Sequence, residues 1–281
     1  MSGSSNSGNS NKKVALVTGA SSGIGKSIVY QLLADDWIVY GGARRLEKME
    51  DIGAAGAKVV SLDVTEETSM TAAIETLLAA EGQIDALVNN AGYGSYGALE
   101  DVPISEAKQQ FEVNVFGLMR LTQLVLPTMR SAKSGTIVNI SSMGGRIWSP
   151  IGGWYHATKH AVEVLSDALR LETEPFGIRV VVVQPGLIKS EWSGVAARRL
   201  RETSQGSAYR SLVESMAKFL DLYPNAASPD VVAKTVSEAL NSPNTERRYA
   251  TPLDAQTSIF LRWLLPDWAW DGLIGAMLRS G

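Results

Sequence analysis

Tyr155 and Lys159 are the two residues of this chain whose types and spacing best suit proton transfer. They stand four residues apart in a run with helical periodicity, residues 154–174, so both side chains project from one face, a single turn apart. A free phenol has a pKa of about 10, and a neighbouring ammonium group lowers that pKa by favouring the phenolate. The pair therefore predicts a tyrosine that acts as general acid or base. Such pairs also occur on solvated helix faces, so further features must decide between the two interpretations.

Ser142 lies thirteen residues before Tyr155, just after the apolar stretch 136–140. A continuous apolar run of this length predicts a buried parallel strand. Parallel sheets present ligands to the carboxyl ends of their strands, so we expect Ser142 to face the same crevice as Tyr155.

A glycine-rich turn joins the first predicted strand, residues 14–18, to a helical pattern that follows it. Glycine permits a tight turn and a close backbone approach, and free N–H groups at a helix start favour a pyrophosphate. The spacing is TGxxxGxG, and its position between a strand and a helix predicts a dinucleotide site. The candidate cofactor residues of this turn are Gly19, Ser21, Ser22, Gly23, Ile24 and Gly25.

The end of the second predicted strand, residues 37–42, indicates which nicotinamide cofactor is used. An acidic residue at this point binds the ribose 2′-hydroxyl of NAD and repels a 2′-phosphate. Here the chain instead reads Ala43-Arg44-Arg45. Two guanidinium groups at this position, with no carboxylate beside them, favour binding of the 2′-phosphate of NADP(H). A solvated arginine pair is the alternative.

Strands and helices alternate along the chain, which is typical of an α/β fold with a parallel sheet and right-handed crossovers. Further strands are predicted at residues 58–62, 84–88, 178–184 and 248–250. Helices are predicted at residues 66–80, capped by Thr65, at 108–130, and from Ser228 to about Leu240.

The composition is that of an ordinary globular chain of 281 residues, with 45% hydrophobic and 20% charged residues. A net charge of -3 argues against nucleic-acid binding through bulk electrostatics. The chain has no cysteine, which excludes disulfides and fits a reducing, cytoplasmic location. His156 and His160 form no metal-ligand pattern, so no metal site is predicted. Residues 1–11 are expected to be a disordered leader, followed by one domain over residues 12–281.

Two C-terminal segments have alternative interpretations. Residues 190–225 are basic and irregular, which suits either a lid over the substrate or a solvated helix pair. The extension at residues 251–281 contains Trp263, Trp268 and Trp270, and Trp192 belongs to the preceding segment. Aromatic residues in this number are expected to be buried in a substrate pocket or a subunit interface, and contact with a membrane surface is left open.

Taken together, these residues resemble the short-chain dehydrogenase/reductase family, in its shorter, single-domain branch. The resemblance covers about residues 13–250 and rests on TGASSGIG at 18–25, NNAG at 89–92, Asn114, Ser142, YHATK at 155–159 and PG at 185–186, in family order and spacing. It implies a doubly wound Rossmann-type α/β fold whose seven-stranded parallel sheet has the order 3-2-1-4-5-6-7.

The resemblance also implies roles for individual residues. Tyr155 gives or takes the hydroxyl proton, Ser142 holds the substrate oxygen, and Lys159 lowers the tyrosine pKa and binds the nicotinamide ribose. Asn114 holds a water that links the lysine to a proton relay. The residues that it adds to the cofactor site are Asp63, Val64, Asn90, Ala91, Gly92, Pro185, Gly186, Ile188 and Ser190, where Ser190 replaces the usual threonine.

The expected function is hydride transfer between NADP(H) and a carbonyl or alcohol group of a lipophilic small molecule. The alternatives are an NAD(H)-using dehydrogenase of a polar alcohol and a protein that senses dinucleotides without turnover. The resemblance further implies a homodimer or homotetramer, because the helices that contain Asn114 and Tyr155 pack against partner copies in relatives.

Overall fold

The computed structural model describes residues 12–189, 191–221 and 226–279. The expected leader at residues 1–11 and the candidate residue Ser190 lie outside this range. Seven strands are present in the described chain: β1 (Val14–Thr18), β2 (Ile38–Ala43), β3 (Lys58–Ser61), β4 (Ala86–Asn89), β5 (Gly135–Ile140), β6 (Ile178–Pro185) and β7 (Arg248–Thr251).

The strands form one parallel sheet with the order β3-β2-β1-β4-β5-β6-β7. This order confirms the Rossmann-type fold expected from the sequence. Every predicted strand is present, and its ends differ from the prediction by two residues or fewer. The chain reverses its direction of winding between β1 and β4, which is where open α/β sheets bind their ligands.

The helices of the described chain lie between the strands and after them. They are α1 (Gly23–Ala34), α2 (Glu50–Ala54), α3 (Glu67–Glu81), α4 (Ile104–Phe111), α5 (Leu118–Ala132), α6 (Gly153–Thr173), α7 (Glu191–Thr203), α8 (Arg210–Asp221), α9 (Pro229–Asn241), α10 (Leu253–Leu264) and α11 (Asp267–Arg279). The Ser228 side chain accepts a hydrogen bond from the backbone of Asp230, so the predicted start of α9 is confirmed.

Both faces of the sheet are covered, which explains why its central strands read as continuous apolar runs. Helices α1 and α9 bury Ile28, Leu32 and Val236 on one face. On the other face, α3 and α5 bury Leu77 and Leu121. Because helices cover both faces of the sheet, a ligand can reach it only at the ends of the strands, where the loops lie.

The single helix predicted over residues 108–130 is wrong in detail. The helical run begins at Ile104 and is interrupted by a π-helical turn, Glu112–Gly117, before α5. At Gly117, an added Cβ would lie 2.2 Å from the Val64 carbonyl oxygen, so this turn packs against the loop after β3 without room for a side chain. The π-turn carries Asn114, consistent with the frequent location of such turns at functional sites.

Thr65 does not cap α3 as the sequence predicted. The helix has Glu66 at its N-cap position, without a capping side-chain hydrogen bond. The Thr65 hydroxyl instead donates to Asp63 Oδ1 at 2.8 Å, and the Thr65 backbone N–H donates to the same oxygen at 3.0 Å. Asp63 therefore stabilises a local turn at the end of β3, a common use of a short acidic side chain.

A third apolar cluster lies at the carboxyl ends of the strands. It joins Leu200 of α7 and Met216 of α8 to Trp270 and Ile274 of α11, and it includes Tyr155. The segment predicted as a lid or a solvated pair is thus two helices with a buried apolar face. Among the described residues, no helix combines the length and apolar character needed to cross a bilayer.

Candidate active site

The glycine turn after β1 is hydrogen-bonded to the end of β4. The Thr18 hydroxyl accepts hydrogen bonds from the backbone N–H groups of Asn90 and Ala91, both at 2.9 Å. In return, Asn90 Nδ2 donates to the Thr18 carbonyl oxygen at 2.9 Å. The NNAG segment and the glycine turn therefore form one rigid wall at the switch point of the sheet.

Glycine is required at two places in this turn. Gly19 has a φ of +68°, in the left-handed region, and at Gly25 an added Cβ would lie 2.4 Å from the Gly19 carbonyl oxygen. Helix α1 starts at Gly23, and the Ser22 side chain makes no capping hydrogen bond. The first N–H groups of α1 consequently have no capping side chain, and they point into a cradle of the kind that holds a pyrophosphate.

Ser142 and Tyr155 come together as the sequence predicted. Ser142 follows β5, and its Oγ accepts a hydrogen bond from the Gly144 backbone N–H at 3.0 Å. The side chains of Ser142 and Tyr155 are hydrogen-bonded to each other. Tyr155 is 9% exposed, so its hydroxyl meets the solvent only through the crevice.

Burial raises the pKa of Tyr155 to about 12, and the hydrogen bond from Ser142 opposes this shift. The direction is opposite to the one that the spacing of Tyr155 and Lys159 predicted. Desolvation of the phenolate is the dominant cause, and it outweighs the hydrogen bond from Ser142. The phenol therefore carries its proton at neutral pH, which is the state that can donate a proton to a developing alkoxide.

Lys159 is buried beneath the crevice. Its Nζ donates to the Ile140 carbonyl oxygen at 2.9 Å, at the end of β5. Burial lowers the pKa of Lys159 to about 8, while the negative charge of Glu163, one helical turn further on, favours the ammonium form. The ammonium group is thus held by a backbone carbonyl that lies two residues before Ser142.

Asn114, in the π-helical turn, is 1% exposed. Its Oδ1 accepts from the Tyr93 backbone N–H at 3.0 Å, and its Nδ2 donates to the Tyr93 carbonyl oxygen at 2.9 Å and to Thr158 Oγ1 at 3.1 Å. An added Cβ at Gly92 would lie 3.1 Å from Asn114 Oδ1 and 3.8 Å from Lys159 Nζ. Asn114, Gly92 and Lys159 are therefore neighbours, although they are far apart in sequence.

The two arginines after β2 lie at the edge of the glycine turn. Arg45 Nη2 is 3.5 Å from Ser21 Oγ, and Arg44 Nη1 is 3.9 Å from Asp63 Oδ2. The Arg44 side chain is 74% exposed. Val64, beside Asp63, is buried. Guanidinium groups this exposed, next to the glycine turn, are accessible to an anionic group there.

The end of β6 forms the opposite wall of the crevice. Pro185 is the last residue of that strand, and Gly186 packs against Asp254 so closely that an added Cβ would lie 2.5 Å from either carboxylate oxygen. Asp254 Oδ2 accepts a hydrogen bond from the Leu187 backbone N–H at 2.8 Å. Ile188 is buried and follows in the same loop.

A cavity of 530 Å³ connects the glycine turn, the end of β4, the pair Ser142 and Tyr155, and the loop after β6. Its lining does not include Asn114, Asp63, Val64 or the two arginines after β2. The cofactor candidates Gly19, Asn90, Gly92 and Ile188 line it together with Ser142, Tyr155 and Lys159. The remaining wall comes from the loop after β4, the loop before α6 and helices α8, α10 and α11. The sequence suggested a lid over residues 190–225 and a pocket lined by tryptophans of the extension, but it did not identify the individual residues. These residues are Tyr96, Ile147, Trp148, Ser149, Met216, Phe219, Leu220, Asp254, Ser258, Leu261, Trp270, Leu273, Ile274 and Met277.

The tryptophans of the C-terminal extension divide into two groups. Trp270 is 2% exposed, lines the cavity, and donates from Nε1 to the Trp148 carbonyl oxygen at 3.3 Å. Trp263 and Trp268 are each 79% exposed, so they do not line the pocket of this chain, and burial in a subunit interface or contact with a membrane surface stays a prediction for them. The side chain of Trp192 lies outside the described residues.

His156 forms part of the wall without any pattern of metal ligands around it. Its Nδ1 lies 2.9 Å from the Gly144 carbonyl oxygen, and its Nε2 lies 3.0 Å from Ser149 Oγ. Within residues 12–189, 191–221 and 226–279, no group of three acidic or histidine side chains is placed to hold a metal ion. Burial lowers the pKa of His156, which keeps the ring neutral at neutral pH.

The crevice fits a nicotinamide dinucleotide. The glycine cradle at Gly19 and Gly25 would be filled by any larger residue, and the start of α1 opens onto it. The cavity then runs from this cradle, past Ile188, to Tyr155. Such a path accommodates an elongated ligand with phosphates at one end and a reactive ring at the other.

Comparison with known proteins supports the same assignment. The family model described as short chain dehydrogenase matches residues 13–200. A probable short-chain type dehydrogenase/reductase of Helicobacter pylori is 35% identical over 261 residues, which cover 92% of this chain and 96% of that protein.

Two further relatives are similar over nearly the whole chain. An NADPH-dependent 3-dehydrocapnine reductase of Ornithobacterium rhinotracheale is 34% identical, over 91% of this chain and 93% of that protein. The crystal structure of a short-chain dehydrogenase from Streptomyces avermitilis is similar to this structure with a TM-score of 0.76 and a sequence identity of 36%. The aligned region covers 92% of this chain and 97% of the Streptomyces chain.

Proposed function

The chain belongs to the short-chain dehydrogenase/reductase family, and we propose that it is an NADP(H)-dependent reductase of lipophilic ketones or aldehydes. The family consists of oxidoreductases that use a nicotinamide dinucleotide and act on small molecules. One observation carries the finer proposal: a single cavity joins the Tyr155 hydroxyl, the glycine cradle and a largely apolar wall.

The proposed chemistry places a proton donor and an oxygen-binding group side by side. When bound, the nicotinamide supplies a hydride to the carbonyl carbon of the substrate. Ser142 hydrogen-bonds the carbonyl oxygen, and Tyr155 donates its phenolic proton to that oxygen as negative charge develops. Because burial keeps Tyr155 protonated at neutral pH, this arrangement supports reduction in particular.

Lys159 and Asn114 assist this proton transfer. The ammonium group of Lys159 stabilises the phenolate left after Tyr155 donates its proton, and it binds the ribose of the cofactor. Asn114 holds the backbone at Tyr93 and stands beside Gly92 and Lys159, where it can position a water for the return of the proton. No metal is needed for any of these steps, because the charge that develops on oxygen is met by hydrogen-bond donors and by the lysine.

The lipophilic character of the substrate is inferred from the cavity wall. Phe219 of α8, Leu261 of α10 and Ile274 of α11 face the cavity with Trp270. Pockets lined in this way bind apolar parts of a ligand and use a few polar groups to fix its orientation. Helices α7 and α8 serve as the lid in this proposal, and Arg199 of α7 stacks over the Tyr93 ring at 5.3 Å to hold them closed.

Replacing Arg44 with alanine tests the choice of cofactor. We expect the wild-type protein to bind NADPH more tightly than NADH, and the variant to lose about tenfold in NADPH affinity while NADH affinity stays the same, because one charge-assisted contact to the 2′-phosphate is removed. Fluorescence titration with both cofactors measures this. Arg247→Ala, an exposed arginine before β7 at the far edge of the sheet, is the matched control.

The outcome separates the alternatives. Equal binding of the two cofactors by the wild-type protein would contradict the NADP(H) preference and favour an NAD(H)-using dehydrogenase. Tight NADPH binding without turnover of any ketone or alcohol would instead favour a protein that senses dinucleotides.

We also infer that copies of the chain associate through the helical run that contains Asn114 and through α6. Outward-facing apolar side chains are present on this part of the surface: Phe116 is 56% exposed, Val164 is 69% exposed and Leu171 is 60% exposed. Sedimentation at micromolar concentration is expected to show a dimer or tetramer, and Val164→Glu together with Leu171→Glu is expected to shift it toward the monomer. A wild-type protein that sediments only as a 30.1 kDa species would contradict this inference.

A further inference from the structure

His156 is a buried cavity residue to which the proposed chemistry assigns no role. It follows Tyr155 on α6, and the centroids of the two rings are 5.8 Å apart in an edge-to-face arrangement. Both ring nitrogens have partners, since Nδ1 lies 2.9 Å from the Gly144 carbonyl oxygen and Nε2 lies 3.0 Å from Ser149 Oγ. The ring is therefore held in one orientation beside the proposed proton donor.

These two contacts determine which nitrogen of His156 carries the hydrogen. The ring is neutral at neutral pH, because burial lowers the pKa of His156. A carbonyl oxygen can only accept, so Nδ1 donates to Gly144, and Nε2 of the neutral ring is an acceptor. Ser149 then donates its hydroxyl hydrogen to Nε2. His156 thus donates its single N–H to a backbone carbonyl rather than to a ligand.

Gly144 joins His156 to Ser142. Its carbonyl oxygen accepts from His156, while its backbone N–H donates to Ser142 Oγ at 3.0 Å. The packing is close, because an added Cβ at Gly144 would lie 2.9 Å from His156 Nδ1 and 3.3 Å from Ser142 Oγ. Glycine has the most permissive backbone, so the orientation of Gly144 depends on these external partners.

The direction of the Ser142 hydroxyl follows from its contact with Gly144. A serine oxygen has two lone pairs and one hydrogen, and the Gly144 N–H occupies one of the lone pairs. The hydroxyl hydrogen is left for the side of Tyr155, to which Ser142 is hydrogen-bonded. A donor must be aimed at the place where charge develops, and a displacement of about 1 Å costs about 100-fold in rate.

We propose that His156 is a positioning residue, which fixes the direction of the Ser142 hydroxyl through Gly144 and so aims it at the carbonyl oxygen of the substrate. The inference rests on the proposed function for the reaction that Ser142 assists, but the chain of contacts from His156 to Ser142 does not depend on that function. Loss of the Nδ1 donor releases the Gly144 carbonyl and, with it, the N–H that directs Ser142. The cost falls on kcat rather than on KM, because the hydrogen bond from Ser142 strengthens as charge develops on the oxygen.

Two rival roles for His156 predict different patterns among its variants. As a direct ligand or proton donor for the substrate, it would act through Nε2, and as a packing residue it would need only the volume of its ring. His156→Asn keeps a donor at the place of Nδ1, His156→Gln keeps a polar atom at the place of Nε2 alone, and His156→Phe keeps only the ring. The three variants therefore separate the three roles.

Steady-state reduction of a lipophilic ketone with NADPH is the first measurement. His156→Gln and His156→Phe are each expected to lower kcat by about 30-fold, with KM and NADPH affinity within about twofold of wild type. His156→Asn is expected to keep at least about a third of the wild-type kcat, because it keeps the donor to Gly144. Activity that survives in His156→Phe, or in His156→Gln but not in His156→Asn, would overturn the proposal.

A double variant tests whether His156 acts through Ser142. In a Ser142→Ala background, His156→Gln is expected to lower kcat by less than about threefold, because the group through which it acts is already absent. A loss of about 30-fold in that background as well would contradict the proposal. His160→Gln makes the same change at the other histidine of α6, which bonds only to its own helix at the His156 carbonyl, and it serves as the control with wild-type kcat.

Amide hydrogen exchange tests the contact without any turnover. The Gly144 N–H is buried, and its exchange reports on the bond to Ser142. His156→Gln is expected to speed this exchange by at least about tenfold, and His156→Asn to leave it within about threefold. The Ala91 N–H, bonded to the Thr18 hydroxyl, is expected to be unchanged in both and so reports an intact fold.

The outcomes of this measurement separate the positioning role from the proposed reaction. Unchanged exchange of Gly144 in His156→Gln would overturn the proposal. Faster exchange in a protein that reduces no ketone would support the contact and contradict the proposed reaction. The wild-type protein gives a check that needs no variant: nitrogen NMR of its two histidines is expected to show the hydrogen of His156 on Nδ1, and a hydrogen on Nε2 would overturn the proposal.

Discussion

Tyr155→Phe is expected to lower kcat for ketone reduction by about 1,000-fold, within the range of about 10²–10⁴ that a positioned general acid contributes. The substitution removes only the hydroxyl that is hydrogen-bonded to Ser142 and leaves the ring in its buried position. Steady-state rates with NADPH and a lipophilic ketone measure the effect. NADPH affinity is expected to stay within about twofold of wild type, because the glycine cradle and the arginines are unchanged.

Tyr40→Phe is the matched control for this variant. It removes a phenolic hydroxyl that donates to Glu81 Oε1 at 2.7 Å, on the face of the sheet covered by α3. Its activity is expected to equal that of the wild type. If Tyr155→Phe keeps more than about a tenth of the wild-type kcat, then Tyr155 is not the proton donor, and Ser142 or a bound water must take that role.

Lys159→Met is expected to lower kcat/KM by about 100-fold or more and, at the same time, to raise the stability of the protein at neutral pH. The activity falls because the positive charge that stabilises the tyrosinate is lost. The stability rises because an ammonium group with a pKa of about 8 is buried at a cost that methionine does not have. Initial rates and urea unfolding of the same preparation measure the two effects.

The gain in stability depends on pH with a definite sign. The pKa of Lys159 is lower in the folded protein than its ordinary value of 10.5, so below pH 8 the folded state carries the full cost of a buried ammonium group, which the unfolded state avoids. The wild-type protein therefore gains stability as the pH rises from about 8 to 10.5, and Lys159→Met lacks that rise. The advantage of the variant is expected to be largest below pH 8 and to disappear near pH 10.5.

Lys234→Met changes an exposed lysine of α9 and serves as the control. It is expected to leave both the activity and the pH dependence of unfolding unchanged, since exposed charges contribute little. A Lys159→Met variant that is less stable than wild type at pH 7 would show that the bond from Lys159 Nζ to the Ile140 carbonyl outweighs the cost of burying the charge.

The cofactor half of the site could be predicted from the sequence because its features are local. Gly19 and Gly25 lie within one turn between β1 and α1, and the arginines follow β2 directly. A strand, a tight turn and a helix start are determined by residues within about ten positions of one another. The strand order then brought these local features to one edge of the sheet, as the sequence predicted.

The substrate half could not be predicted in the same way. Trp270 and Asp254 reach the cavity from elements that follow β7, about one hundred residues after Tyr155, and no local motif marks them. The exposure of Trp263 and Trp268 is equally hidden in the sequence, because burial depends on how α10 and α11 pack.

The sequence by itself determined which residues are candidates for the proposed chemistry, namely Ser142, Tyr155 and Lys159 on a dinucleotide fold, because residue types and helical spacing are local properties. The tertiary structure decided their chemical state. Tyr155 has a raised pKa and Lys159 a lowered one because distant elements remove water from both. Desolvation depends on everything that surrounds a group, so it appears only once the chain has packed.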